Sequence, residues 1–183
     1  MKTTSTNKKS DSEFLKSLIR DIPNFPRQGI VFKDITPLLK DATAFRLACN
    51  QLADKFEGIK VDQVVGIESR GFILSPAIAY RLQAGFVPVR KKGKLPAEKT
   101  NVSYQLEYGE DSLEIHVDAI QQGTRLIIID DLLATGGTAE AAIRLVEQLG
   151  GAVLGLAFLV ELEFLKGRER LKHYPVYSLI NYS

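Results

Sequence analysis

Leu126-Ile127-Ile128-Ile129 runs directly into Asp130-Asp131, and Thr135-Gly136-Gly137-Thr138 follows before a segment of helical composition from Ala139 to Leu149. A continuous apolar run of this kind is typical of a central strand in a parallel sheet, which needs elements covering both of its faces. The rest of the chain supplies them. Phe14, Leu15, Leu18 and Ile19 recur at helical spacing, and Pro23 and Pro26 close that first short helix. The segment from Arg27 to Thr36, bounded by prolines, reads as irregular. Apolar residues from Leu39 to Phe56 keep a 3.6-residue rhythm and predict one helix over 38–56, with Gly58 placed to cap it. Strands are predicted over 61–67, 84–92, 112–117, 152–162 and 175–181, and a helix over 72–82. Lys94 to Asp111 is a polar stretch too long for a mere connector. Strands alternating with helices give an α/β fold with a mainly parallel sheet, whose ligands gather at the carboxyl ends of the strands. The polar turns after Ile67 and Ile129 sit at such ends.

Length and charge narrow the function classes. A chain of 183 residues accommodates one domain and a small appendage. Lys and Arg number 24 against 22 Asp and Glu, a net charge of +2, so no massed basic surface advertises nucleic acid or an anionic membrane. Hydrophobic residues at 45% and charged ones at 25% supply a core and exclude global disorder. Cys49 is the single cysteine, which rules out an intramolecular disulfide and fits a cytoplasmic setting. Met1 to Ser12 lacks the apolar centre of a secretory signal and reads as a flexible tail. The longest apolar stretch, Gly151 to Val160, is about half of the roughly 20 residues that cross a bilayer.

The segment from Leu126 to Thr138 also carries chemistry. Gly136 and Gly137 let a ligand approach the backbone, and the unpaired N–H groups of the following helix start favour a phosphate, with Thr135 and Thr138 as hydroxyl donors. The plainer alternative makes Thr138 an N-cap and nothing more. Two adjacent acids weigh against it: carboxylates do not suit a phosphate cradle, but they do suit sugar hydroxyls beside one. A ligand with both a ribose and a phosphate is implied. Neither a G-x-x-x-x-G-K-[ST] nor a G-x-G-x-x-G pattern is present, which removes the Walker and dinucleotide readings. The turn Glu68-Ser69-Arg70-Gly71 offers backbone donors and one guanidinium to a second anion.

These two segments resemble the phosphoribosyl-pyrophosphate signature and the pyrophosphate loop of type I phosphoribosyltransferases. Asn24 to Pro37, Arg90 to Pro96, Tyr104 to Gly109, Val160 to Leu162 and Leu165 to Glu169 further resemble the adenine phosphoribosyltransferases, and the likeness spans Phe14 to Asn181. The resemblance implies a Rossmann-like fold of mainly parallel sheet flanked by helices. It divides the chain into a tail over 1–12, a hood over 13–37 and a core over 38–183, with a mobile catalytic loop over 96–109. It implies that Asp130 and Asp131 contact the ribose, while Ala134, Thr135, Gly136, Gly137 and Thr138 hold the 5′-phosphate. Glu68, Ser69, Arg70 and Arg90 would serve the pyrophosphate, Arg90 from a neighbouring subunit of a homodimer. Phe32 would stack on adenine, Val31 and Lys33 would read its edge through backbone groups, and Leu162 would complete an apolar wall. Lys33 stands where the family commonly has arginine. Glu107 would be the general acid/base, with Tyr108 beside it, and a cis peptide is implied at Glu68–Ser69. The implied substrates are adenine and 5-phosphoribosyl 1-pyrophosphate, the products AMP and pyrophosphate, and the cofactor Mg²⁺ carried by the pyrophosphate rather than by a protein metal site. Transfer to another nucleobase is the alternative within the class. A non-catalytic regulator that senses the sugar donor is the alternative outside it, but residues 1–13, the only unmatched segment, are too short for a DNA-binding module.

Overall fold

The computed structural model describes residues 5–105 and 110–183. Its contacts divide the chain into two compact units, Met1–Gln51 and Leu52–Ser183.

In the first unit, α1 (Ser5–Ser17) is followed by β1 (Arg20–Pro23) and β2 (Val31–Asp34), which pair antiparallel. The helix takes in Ser5 to Ser12, where the sequence reading expects a flexible tail. The stretch expected to be irregular contains β2. Four-residue strands with mostly exposed or half-exposed side chains leave no apolar alternation to read, and cross-strand pairs hold them instead. Lys33 Nζ lies 2.7 Å from Asp21 Oδ1, and Arg20 Nη2 lies 2.6 Å from Asp34 Oδ2. The single helix expected over 38–56 is two, α2 (Thr36–Lys40) and α3 (Ala42–Asp54). Asp41 separates them in an extended conformation, and its Oδ1 accepts the N–H groups of Thr43 and Ala44, both at 2.9 Å, as an N-cap does.

The second unit is built on a seven-stranded sheet. Along the chain come β3 (Gln63–Ile67), α4 (Gly71–Leu82), β4 (Gly85–Lys91), β5 (Lys99–Gln105), β6 (Glu110–His116), β7 (Arg125–Leu133), α5 (Gly137–Gln148), β8 (Ala152–Leu162) and β9 (Val176–Tyr182). Two 3₁₀ turns, Glu163–Leu165 and Gly167–Leu171, join the last two strands. The strand order is β5-β6-β4-β3-β7-β8-β9, parallel from β4 through β9. At the other edge β6 pairs antiparallel with β4 and β5. Within the polar stretch expected to carry a mobile loop, Lys99–Gln105 forms β5 and β6 begins at Glu110, while residues 106–109 lie outside the described residues. Among the described side chains of β5, Val102 and Tyr104 alone are buried, at 6% and 7% exposure, so the strand carries little apolar signal. Leu126, Ile127, Ile128 and Ile129 are fully buried in β7, as a central strand requires.

The chain passes from β3 through α4 to β4 on one side and from β7 through α5 to β8 on the other. The two central strands thus form the switch point of the sheet, where their carboxyl ends open a crevice.

Candidate active site at the switch point

The loop after β7 is shaped to receive an anion. Gly136, at φ +83°, is the N-cap of α5 and brings no side-chain acceptor to the helix start. The first helical bond is Glu140 N–H to Gly136 O at 2.9 Å, so the N–H groups of Gly137, Thr138 and Ala139 have no partner within the helix. Thr138 is inside the helix and not its cap, which removes the plainer reading of the motif. Thr135, Gly136 and Thr138 line a cavity of about 70 Å³ at this point, small enough for one tetrahedral anion and set at the positive end of the helix dipole.

Asp130 and Asp131 close β7 beside that loop. Asp131 is 4% exposed, and its own N–H donates to Asp130 Oδ1 at 2.9 Å. Burial raises the pKa of both carboxyls; for Asp130 the adjacent Asp131 charge adds to the rise, and for Asp131 the Arg70 guanidinium opposes it. Arg70 Nε lies 2.9 Å from Asp131 Oδ2. That pair joins the turn after β3 to the end of β7 and fixes two walls of one cleft. A side chain on Gly71 would not fit there, since a Cβ would stand 2.9 Å from Asp130 Oδ1 and 3.0 Å from Ile129 O.

The cleft measures about 330 Å³ and is lined by Glu68, Ser69 and Arg70 on one side, by Asp130 and Asp131, and by Lys91, Tyr104 and Asp111 on the other. The Glu68–Ser69 peptide is cis, as the resemblance implies. The Glu68 carboxylate accepts Arg90 Nε and Nη2, each at 3.2 Å, and the Lys91 N–H at 3.0 Å. Burial works against its ionisation, but these donors outweigh it and hold the carboxyl below its ordinary value. Arg90 also donates Nη1 to Lys94 O at 3.0 Å. Its fork is thus engaged on the turn after β3 of its own chain, and Arg90 is not among the residues lining the cleft.

Lys91, the next residue, does line the cleft of its own chain. Neighbours on a strand face opposite sides, and Lys91 Nζ reaches 3.2 Å from Asp111 Oδ2, while the Tyr104 hydroxyl lies 3.4 Å from the same atom. The Asp111 hydrogen bond raises the Lys91 pKa and keeps the ammonium charged. Sequence reasoning missed all three as site residues, because Lys91 sits in a basic run that reads as solvated and Asp111 meets it only through the strand pairing. The one available signal was the strict neighbour relation of Arg90 and Lys91 at the end of a predicted strand.

The remaining expected residues are distributed as follows. Leu162 is the last residue of β8. In the first unit, Val31 is 46% exposed on β2, and the Phe32 ring meets Phe25 edge-on at 5.2 Å. Lys33 spends its ammonium on Asp21, which leaves the backbone groups as its means of reading a base. Glu107 and Tyr108 lie outside the described residues. No cluster of three His, Cys, Asp or Glu suited to a metal occurs among the described residues.

Residues 37–182 match the model of the phosphoribosyl transferase domain family. The chain is 60% identical over 171 residues to an adenine phosphoribosyltransferase of Acidobacterium capsulatum, covering 93% of this chain and 94% of that one. It superposes on the crystal structure of the adenine phosphoribosyltransferase from Rhodothermus marinus with a TM-score of 0.91 at 55% identity, covering 95% of this chain and 99% of that one. A Saccharomyces cerevisiae adenine phosphoribosyltransferase, solved with adenine and an imino-altritol bisphosphate, matches at 44% identity and a TM-score of 0.88 over 94% of this chain and 99% of its own.

Proposed function

The chain belongs to the phosphoribosyl transferase domain family, among its adenine phosphoribosyltransferases, and from that premise we infer that it joins adenine to 5-phosphoribosyl 1-pyrophosphate, giving AMP and pyrophosphate in purine salvage. One arrangement carries the reading: a phosphate-sized, N–H-lined loop, an acid pair and an arginine-bearing turn share a single switch-point crevice. Those three features match the three parts of the sugar donor.

The 5′-phosphate takes the N–H groups of Gly137 and Thr138 with the Thr135 and Thr138 hydroxyls. Asp130 and Asp131 accept the ribose hydroxyls, and Arg70, Ser69 and Lys91 face the pyrophosphate. Adenine N9 attacks C1 of the ribose with inversion while the C1–oxygen bond to pyrophosphate breaks. Positive charge grows on the sugar ring and negative charge on the leaving group, so fixed donors around the turn lower the barrier. Phe32 stacks on the base, Val31 and Lys33 supply backbone contacts, and Leu162 adds apolar surface. Glu107 manages the purine proton; Glu107→Gln is expected to lower kcat with little change in the KM for the sugar donor, which steady-state kinetics reads directly.

Mg²⁺ belongs to the same proposal. This ion takes one or two carboxylates plus substrate phosphates and keeps its waters, and the adjacent Asp130 and Asp131 carboxyls in the cleft fit an ion that arrives on the pyrophosphate. When bound it would neutralise leaving-group charge. A homodimer is proposed as well: Ile73 and Tyr80, two turns apart on α4, are 42% and 88% exposed, apolar side chains of the kind a second copy covers. The buried lone Cys49 fits a reducing, cytoplasmic compartment. Turnover with adenine, hypoxanthine, guanine, xanthine and orotate, each with and without Mg²⁺, tests the reading. Preference for any base but adenine overturns it.

A further inference from the structure

The 3₁₀ turn Gly167–Leu171 backs the phosphate loop on the side away from the cleft. Contact there is between backbones. A Cβ on Gly136 would stand 2.6 Å from Gly167 O, and a Cβ on Gly167 would stand 2.3 Å from Ala134 O and 3.1 Å from Gly136 N. A side chain at either position would have to push the loop out of shape.

Arg168, the next residue, pins the turn to the sheet. Its Nε lies 2.7 and 2.9 Å from the two oxygens of Glu161, and its Nη2 lies 2.7 Å from Glu161 Oε2 and 2.6 Å from Ser178 Oγ. Its Nη1 donates to Val176 O at 2.8 Å. Glu161, 2% exposed, accepts the Ser178 hydroxyl as well. Every contact of this guanidinium ends on β8 or β9, so the rigid sheet decides where Gly167 sits. Arg170 adds a tie to Glu140 in the first turn of α5, at 3.1 Å. Neither Gly167 nor Arg168 lines the cleft or the phosphate cavity.

We propose that Gly167 and Arg168 are positioning residues for the transfer: the Arg168–Glu161 fork sets the Gly167 backbone against Gly136 and so holds the phosphate loop in its anion-receiving shape. The inference rests on the reading that this loop binds the 5′-phosphate of the sugar donor. A lysine at 168 keeps the charge opposite Glu161 but lacks the planar fork, and an alanine at 167 carries the methyl that Ala134 O excludes.

Ribose 5-phosphate and pyrophosphate, titrated separately by calorimetry, read the two halves of the donor site without turnover. In Arg168→Lys and in Gly167→Ala, affinity for ribose 5-phosphate is expected to fall by at least about tenfold, since an ångström-scale misplacement can cost up to about a hundredfold. Pyrophosphate affinity should be unchanged. The KM for the sugar donor should rise in proportion while kcat at saturation and the KM for adenine hold. Ser178→Ala, which removes one acceptor and leaves the Glu161 pair, should fall between these variants and wild type. Unchanged ribose 5-phosphate affinity in both principal variants overturns the proposal, and so does an equal loss of both ligands. No AMP formation by the wild-type protein, together with the selective loss in the two variants, would remove the activity and keep the positioning role. AMP formation with unaffected variants would do the reverse.

Discussion

Asp130 is held where an unpaired carboxylate is expensive, next to a second acid and inside the fold. The sign of its effect on stability follows from the raised pKa. Above the ordinary carboxylate range the unfolded chain ionises this residue while the folded chain retains the proton, so stability declines as pH rises toward the folded-state value. Asp130→Asn removes that dependence. It is expected to raise the melting temperature at neutral pH and, by replacing a carboxyl oxygen that the proposed reading assigns to a ribose hydroxyl, to raise the KM for the sugar donor by about tenfold. Thermal melts at pH 5 and pH 8, run beside kinetics, check both halves: a larger gain at pH 8 is expected, and a variant less stable at both values contradicts the reading. The residues that make this site were readable when they lie together along the chain. Asp130, Asp131 and the Gly136 loop form one continuous segment, because a strand end and the helix after it are local structure. Lys91 and Asp111, or Arg90 and Glu68, meet only through strand pairing, and no local pattern announces such a meeting.

Among the elements, burial decided what could be read. β7, α5 and β8 carry dense apolar patterns, and their observed bounds lie within a few residues of those the sequence predicts. β5 is an edge strand with alternate residues in solvent, and β1 with β2 is held by ion pairs, so none of the three shows an apolar rhythm. The break between α2 and α3 was hidden for another reason. Apolar spacing runs through it without a gap, and only the capping carboxylate of Asp41 marks the new start. Asp41→Ala is expected to cost about 1 kcal/mol, the usual worth of an N-cap. Urea unfolding with an unchanged slope and a lower midpoint would register it; an unchanged midpoint would show that packing alone places α3.

For the molecule as a whole, no massed charge marks the substrate. On the proposed reading, a donor with several phosphates meets a helix terminus, backbone N–H groups, Arg70 and Lys91 in one crevice of a chain whose net charge is only +2. Association is a property of the same scale. If a second copy covers the α4 face, Tyr80→Glu should shift the sedimentation coefficient from that of a dimer to that of a monomer, and a wild-type monomer would remove the proposal. The central claim concerns the reaction. Initial rates of pyrophosphate release, measured for the wild-type chain with 5-phosphoribosyl 1-pyrophosphate, Mg²⁺ and one nucleobase at a time, test it most directly. AMP formation from adenine, with kcat/KM well above that for every other base, is the expected result; no turnover with adenine, or faster turnover with a different base, would contradict it.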